Sequence, residues 1–178
     1  MSSTVRPNNV RAALAAKLAA AMSQLVELRE AEQPRLTPHL SPREIVGAFL
    51  LYARGVYTIV DTLGKAQAGH LQFNAWYGQW TEGLGDADRA LWKQLSDDRV
   101  AEEQGRGVAL IDHGIAAAAD PSSTAQQAAP GARADVRKGL VRFAAYPDRA
   151  AGNVCEHYLR LAKRLADDFV RDHARFLP

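Results

Sequence analysis

Apolar positions fall into helical spacings along most of this chain. Leu14, Leu18, Ala21, Leu25 and Leu28 alternate steps of four and three, which draws one seam down a helix that must pack against a neighbour. Asn8 or Asn9 can cap that helix and Pro34 ends it, so an N-terminal helix over about residues 9–32 is expected. An extended connector then runs from Pro34 to Pro38. Ser41-Pro42-Arg43-Glu44 is a sharper start: an N-cap serine, proline at the first helical position and a capping-box glutamate. The run IVGAFLLYARGVYTIVDTL that follows is apolar on most of its faces, as suits the middle of a bundle. Gly47 and Gly55 lie inside it. Each costs about 1 kcal/mol relative to alanine, which close approach of another helix can offset.

Gly69 and His70 mark the next break, after which Phe73, Trp76, Tyr77 and Trp80 crowd one side of a short helix. Trp76, Tyr77 and Trp80 could hold a ring-shaped ligand or nucleotide between helices. A wedge of core aromatics is the simpler reading. Gly85 and Asp86 open a helix with Leu91, Trp92, Leu95 and Val100 facing inward. Beyond Gly105-Arg106-Gly107 the pattern weakens. VALIDHGIAAAA is ambiguous between strand and helix, and residues 136–146 suit a strand that pairs back onto residues 108–112. Residues 120–135, small, polar and carrying two prolines, read as a mobile loop. Pro147 and Asp148 introduce a last helix whose inward face is Val154, Tyr158, Leu161, Leu165 and Phe169. No internal repeat occurs. The expected fold is mainly α, a single domain over residues 1–178 built as a bundle of about five helices with room for a small two-stranded hairpin.

Composition narrows the function more than the fold. At 178 residues, 47% hydrophobic and 24% charged, the chain has the make-up of an ordinary globular domain. A net charge of +2 lends no support to a strongly electrostatic partner such as bulk nucleic acid or an anionic membrane. The single cysteine, Cys155, excludes an intramolecular disulfide and a multi-thiolate zinc site; within an apolar helical pattern it reads as a buried small hydrophobe. No apolar run is long and charge-free enough to span a bilayer. Residues 1–26 hold Arg6, Arg11 and Lys17 but no acid, as a transit peptide would. A first amphipathic helix explains the same residues, and a cytoplasmic protein is expected.

Candidate chemistry is sparse. His39, His70, His113, His157 and His173 never stand three or four residues apart, so no helical face offers two of them to a metal. Neither a metal nor a cofactor is expected. No nucleophile elbow, Walker loop or dinucleotide fingerprint is present. Asp167-Asp168 and Glu102-Glu103 are adjacent on helices. Neighbours there point roughly 100° apart, so solvated charges explain them better than a catalytic pair. Arg133, Arg137, Lys138 and Arg142 form a loose basic cluster that reads as a solvated face.

The order GAFLLYARGVYTIV, FNAWYGQW, LWKQLSDDRVAEEQG, VCEHYLRLAKRL resembles an uncharacterised bacterial branch of the HEPN superfamily, over about residues 43–172. The resemblance implies a helical bundle that pairs as a homodimer. Many such relatives are metal-independent ribonucleases acting as toxins or defence effectors. In that branch a Phe-x-x-Trp-Tyr helix precedes one ending Leu-Arg-Asn-x-x-x-His-Glu. Phe73, Trp76 and Tyr77 match the first element, and Leu95 and Glu102 match the ends of the second. Between them Ser96 replaces the arginine, Asp97 the asparagine and Ala101 the histidine. Serine supplies no guanidinium fork and alanine exchanges no proton. The expectation is therefore a non-catalytic relative that binds protein or RNA. Its rival is a ribonuclease using Arg106 and His113, whose spacing satisfies the looser Arg-to-His rule of the superfamily, paired with an antitoxin. The glycines flanking Arg106 favour a turn there, which weakens that rival.

Overall fold

The computed structural model describes residues 7–32, 40–103, 110–113 and 140–173, with residues 7–9, 97–103, 112, 113 and 140 described for the backbone alone. Five helices and one hairpin make up these residues: α1 (Pro7–Ala31), α2 (Pro42–Ala68), α3 (His70–Glu82), α4 (Asp86–Glu103), β1 (Leu110–His113), β2 (Leu140–Phe143) and α5 (Ala151–Asp172). The mainly α bundle with a two-stranded hairpin is the architecture that the apolar spacing predicts. Residues 104–109 and 120–135 lie outside the described residues, and so does the expectation of a loop at 120–135.

Each boundary has a local cause. α1 starts at Pro7, not at an asparagine cap. Proline is preset for the first helical position, where its missing N–H would have had no partner in any case. At α2 the Ser41 backbone N–H donates to Glu44 Oε2 at 2.8 Å, and the Glu44 N–H donates to Ser41 Oγ at 3.3 Å. This reciprocal box holds the Glu44 carboxyl below its usual range, through the Ser41 hydroxyl first and its N–H second. α2 ends on Gly69, whose φ of +80° is disfavoured for residues with a Cβ. The hairpin is antiparallel, with Leu110 opposite Phe143 and His113 opposite Leu140.

α2 sits at the centre and touches α1, α3, α4 and α5. It is the one described helix long and apolar enough to cross a membrane by length and composition. Its packing accounts for that composition, because Ile45, Val46, Phe49, Leu50, Ala53, Val56 and Val60 are all buried in the bundle. α1 contributes Leu14, Ala21, Leu25 and Leu28 to the same core, and α5 contributes Val154, Tyr158, Leu161, Leu165 and Phe169. Cys155 is fully buried among them, and burial pushes its thiol well up. At Gly55 the close neighbour is not a helix backbone but the stem of Lys17, whose Cδ would lie 3.0 Å from an added Cβ. The Lys17 ammonium continues over the Tyr52 ring, 5.5 Å from its centroid.

α5 lacks a capping side chain, since its N-cap is Ala150, and its first turn holds no acidic residue. The missing acceptor comes from the end of α1: Gly152 N–H donates to Glu32 Oε1 at 3.0 Å. A Cβ at position 152 would lie 2.8 Å from Glu32 Oε2, so glycine makes room for the carboxylate. Burial raises the Glu32 pKa, outweighing the Gly152 N–H and Arg29, which lower it. A folded-state pKa above the unfolded value favours folding fully below about 4.5 and loses that contribution as pH rises through the folded value. Glu32→Gln keeps an oxygen for Gly152 and removes the titration. Its melting temperature is expected to gain on wild type as pH rises from 4 to 7, followed by thermal denaturation across that range. A difference between the two that does not change with pH would contradict this account.

Candidate functional site

The side chains with the most distinctive environment gather where α2, α3, α4 and α5 meet. On α3, residues 73, 77 and 80 share a face, so Phe73 stacks on Tyr77 (6.1 Å between centroids) and Tyr77 on Trp80 (6.0 Å). Trp80 then meets Trp92 of α4 edge-on at 5.3 Å, and Trp92 meets Tyr158 of α5 at 4.9 Å. Trp76 faces the other way, against Phe169 and His173. Each indole N–H is engaged: Trp76 donates to Asp172 at 3.1 Å, Trp80 to Asp168 at 3.1 Å, and Trp92 to the Tyr77 hydroxyl at 2.8 Å. Trp76, Tyr77 and Trp80, the candidate ligand contacts, thus tie α3 to α4 and α5, with each ring against other aromatic rings and their polar ends bonded.

Asp168 corrects one expectation. Asp167 is a solvated charge paired with Lys163, as its sequence context suggests. Asp168 is only 17% exposed, accepts from Trp80, and pairs with Arg171 at 2.8 Å and Arg164 at 3.6 Å. It follows Asp167 on the helix but points toward α3, since adjacent residues diverge by about 100°. Asp172 repeats the arrangement one turn later with Trp76. The Arg171 guanidinium, with help from the Trp76 N–H, keeps its carboxyl below the usual range. Arg142, from the basic cluster, donates to the Pro147 carbonyl; Arg133, Arg137 and Lys138 lie outside the described residues.

Behind the aromatic wall lies a polar cluster. Arg54 of α2 donates from Nη1 to Ser96 Oγ of α4 at 3.2 Å, and its guanidinium lies over the Tyr57 ring, 4.0 Å from the centroid. Ser96 Oγ donates in turn to the Trp92 carbonyl of its own helix at 2.8 Å. Tyr57 donates to Asp61 at 3.2 Å, and Asp61 pairs with Lys65 at 2.7 Å. Burial first, then Tyr77 and Asp61, push the Tyr57 phenol up to about 12, with Arg54 opposing. Tyr158 is also pushed up to about 12, by burial, while Ser96 and Arg54 beside it pull the other way. The Ser96 hydroxyl is within reach of its own, though no bond of full geometry forms among the described residues.

Of the positions singled out by sequence, Ser96 is in this cluster. Asp97, Ala101 and Glu102 continue α4, described for the backbone alone. Arg106 lies outside the described residues, and His113 ends β1 with only its backbone described. Arg54 and Tyr158 were missed. Arg54 stands in an apolar helix where a single arginine carries no motif, and Tyr158 reads as one more core residue. Of the other histidines, His157 meets Asp88 at 2.7 Å, the buried His173 stacks on Phe169, His70 is exposed at the start of α3, and His39 lies outside the described residues. Among the described residues no group of three or more His, Cys, Asp or Glu side chains gathers to hold a metal. A concavity of about 600 Å³ runs between α1 and α5, lined by Leu14, Leu18 and Val170 together with Arg11 and Arg171. No family model, curated protein or solved structure matches the chain.

Proposed function

We propose that the protein is a non-catalytic HEPN-like helical bundle that binds protein or RNA, as a cytoplasmic homodimer in a defence or toxin–antitoxin setting. One observation carries the non-catalytic part. Ser96, at the position where the resemblance expects arginine, donates to the Trp92 carbonyl and accepts from Arg54. Its hydroxyl is committed to holding α4 against α2 and is not paired with any base among the described residues. A serine so placed takes over neither the charge-stabilising nor the proton-transfer role.

Purified protein is therefore expected not to cleave RNA. Wild type, Arg106→Ala and His113→Ala, prepared identically, should show the same background. Removing a positioned proton-transfer group from a working site costs about a hundredfold to ten-thousandfold in rate. If wild type degrades RNA and both variants lose that activity while still folded, the ribonuclease reading replaces this one. Light scattering after size exclusion checks the homodimer separately, since a single species of monomer mass would remove that part of the proposal.

A further inference from the structure

We infer that α1 carries a dimer interface, a self-complementary stripe on which a second copy of this chain lies antiparallel. Arg11, Ala15, Ala19, Met22, Val26 and Glu30 are all exposed and fall on one face of α1. The seam that packs into the bundle is a different one, through Leu14, Ala21, Leu25 and Leu28. Met22 and Val26 are about half exposed, and no charged residue occurs between Lys17 and Glu27. The steps along the stripe are four, four, three, four and four, the same from either end. A two-fold axis crossing α1 between residues 20 and 21 therefore lays the stripe on itself over about 28 Å. Ala19 then faces the partner's Met22, Ala15 the partner's Val26, and Arg11 the partner's Glu30. Small side chains meet large ones, and opposite charges meet at both ends. A parallel pairing would instead set Arg11 on Arg11 and Glu30 on Glu30.

The two end charges have no use within the chain. Neither Arg11 nor Glu30 forms an ion pair or a side-chain hydrogen bond among the described residues. Their neighbours on α1 are engaged, since Arg29 pairs with Glu156 and Lys17 lies over Tyr52. Each end charge also opposes the dipole of its own helix, a base toward the positive N-terminus and an acid in the last turn. An antiparallel partner reverses both disadvantages, because it brings an acid to the first end and a base to the second. The groove between α1 and α5 widens the contact. Two concavities, of about 600 and 550 Å³, border the stripe, with Leu18, Leu25 and Leu159 among their lining. A stable dimer needs about 800 Å² from each partner, more than a stripe one helix wide supplies, and this groove offers apolar surface directly beside it.

This inference rests on the homodimer part of the proposed function and on nothing else there. α1 lies outside residues 43–172, over which the resemblance runs, so the resemblance does not supply this face. The test measures the mass of the full chain by sedimentation equilibrium, on dilution from about 100 μM. Wild type is expected to be a dimer that dissociates as it is diluted. Met22→Glu should weaken the dimer roughly tenfold or more, since it sets a charge in the middle of the contact at a position the monomer leaves half exposed. Arg11→Glu and Glu30→Arg should each weaken it roughly tenfold by facing like charges. The two combined should return the dissociation constant to within about threefold of wild type. Both reversals suit the helix dipole, so each variant, diluted to monomer, should melt no lower than diluted wild type: pairing is lost without loss of fold. A dimer undiminished by Met22→Glu, or no recovery in the combined variant, overturns the inference and leaves the homodimer to another face. A wild type that is monomeric at about 100 μM overturns the homodimer reading as well, and leaves the stripe to a partner other than this chain.

Discussion

Phe169→Ala is expected to destabilise the protein by about 3–5 kcal/mol, the range for removing a core aromatic ring. Phe169 has no exposed surface and lies on the inward stripe of α5. Its ring stacks on His173 at 4.6 Å and meets the edge of Trp76 at 5.8 Å. The void left by alanine could not close easily. Trp76 is tethered by its indole N–H to Asp172, and His173 is held to the Phe169 carbonyl through both its backbone N–H and its ring, so neither side can move in without breaking a bond. Since small domains are stable by only about 5–15 kcal/mol, the variant should unfold at visibly lower urea. The midpoint should shift with little change in slope, and Phe169→Leu, which refills much of the space, should lose clearly less. A loss below about 0.5 kcal/mol for the alanine variant would show that the α5 face points elsewhere.

The helices were readable because two kinds of signal agree. The three-and-four spacing in α1 and α5 is a property of consecutive residues, and the punctuation at Ser41–Glu44 and Gly69 acts within a single turn. The hairpin was harder, since four-residue strands give too short a period to separate from a helix, and only the prospect of pairing residues 108–112 with 136–146 suggested it. What stayed hidden depends on partners distant in sequence. The acceptor for the α5 N-terminus is Glu32, on the far side of most of the chain. Asp168 looked like surface charge because its indole partner belongs to α3.

The candidate site divides in the same way. Ser96 drew attention through a resemblance, whereas Arg54 and Tyr158 acquire meaning only when α2, α4 and α5 are brought together. A lone arginine in an apolar helix has many uses, and nothing within one turn of it shows that it will reach Ser96 on another helix. A tyrosine on a core stripe is expected to bond its hydroxyl somewhere, and that Ser96 is the group beside it is a fact of the assembled bundle alone. Pattern reading locates elements; it does not reveal which polar groups packing brings together.

Glycine illustrates the limit most directly, and leads to an experiment with opposite outcomes at two positions. Gly47 and Gly55 drew attention in the sequence, but among the described glycines the tightest approach is at Gly64. An added Cβ there would lie 2.9 Å from Phe73 Cγ and closer still to Cδ2 and Cε2. Those atoms belong to a ring with no exposed surface, stacked on Tyr77 and packed against Trp76, so it has no room to retreat. Gly78, on α3, would meet nothing within 4 Å. In a helix interior, alanine is intrinsically better than glycine by about 1 kcal/mol. Gly78→Ala should therefore stabilise the protein by about 0.5–1 kcal/mol, the helical preference acting unopposed. At Gly64 the same gain competes with overpacking, which costs typically about 1–3 kcal/mol and more where the neighbour is rigid. Gly64→Ala should be net destabilising by about 1–3 kcal/mol, read from the urea midpoint. Shrinking the obstacle with Phe73→Leu should make the double variant less unstable than the sum of the two single changes, because the residues touch. Strict additivity, or a Gly64→Ala variant as stable as Gly78→Ala, would mean that the α2–α3 contact is not made through this pair.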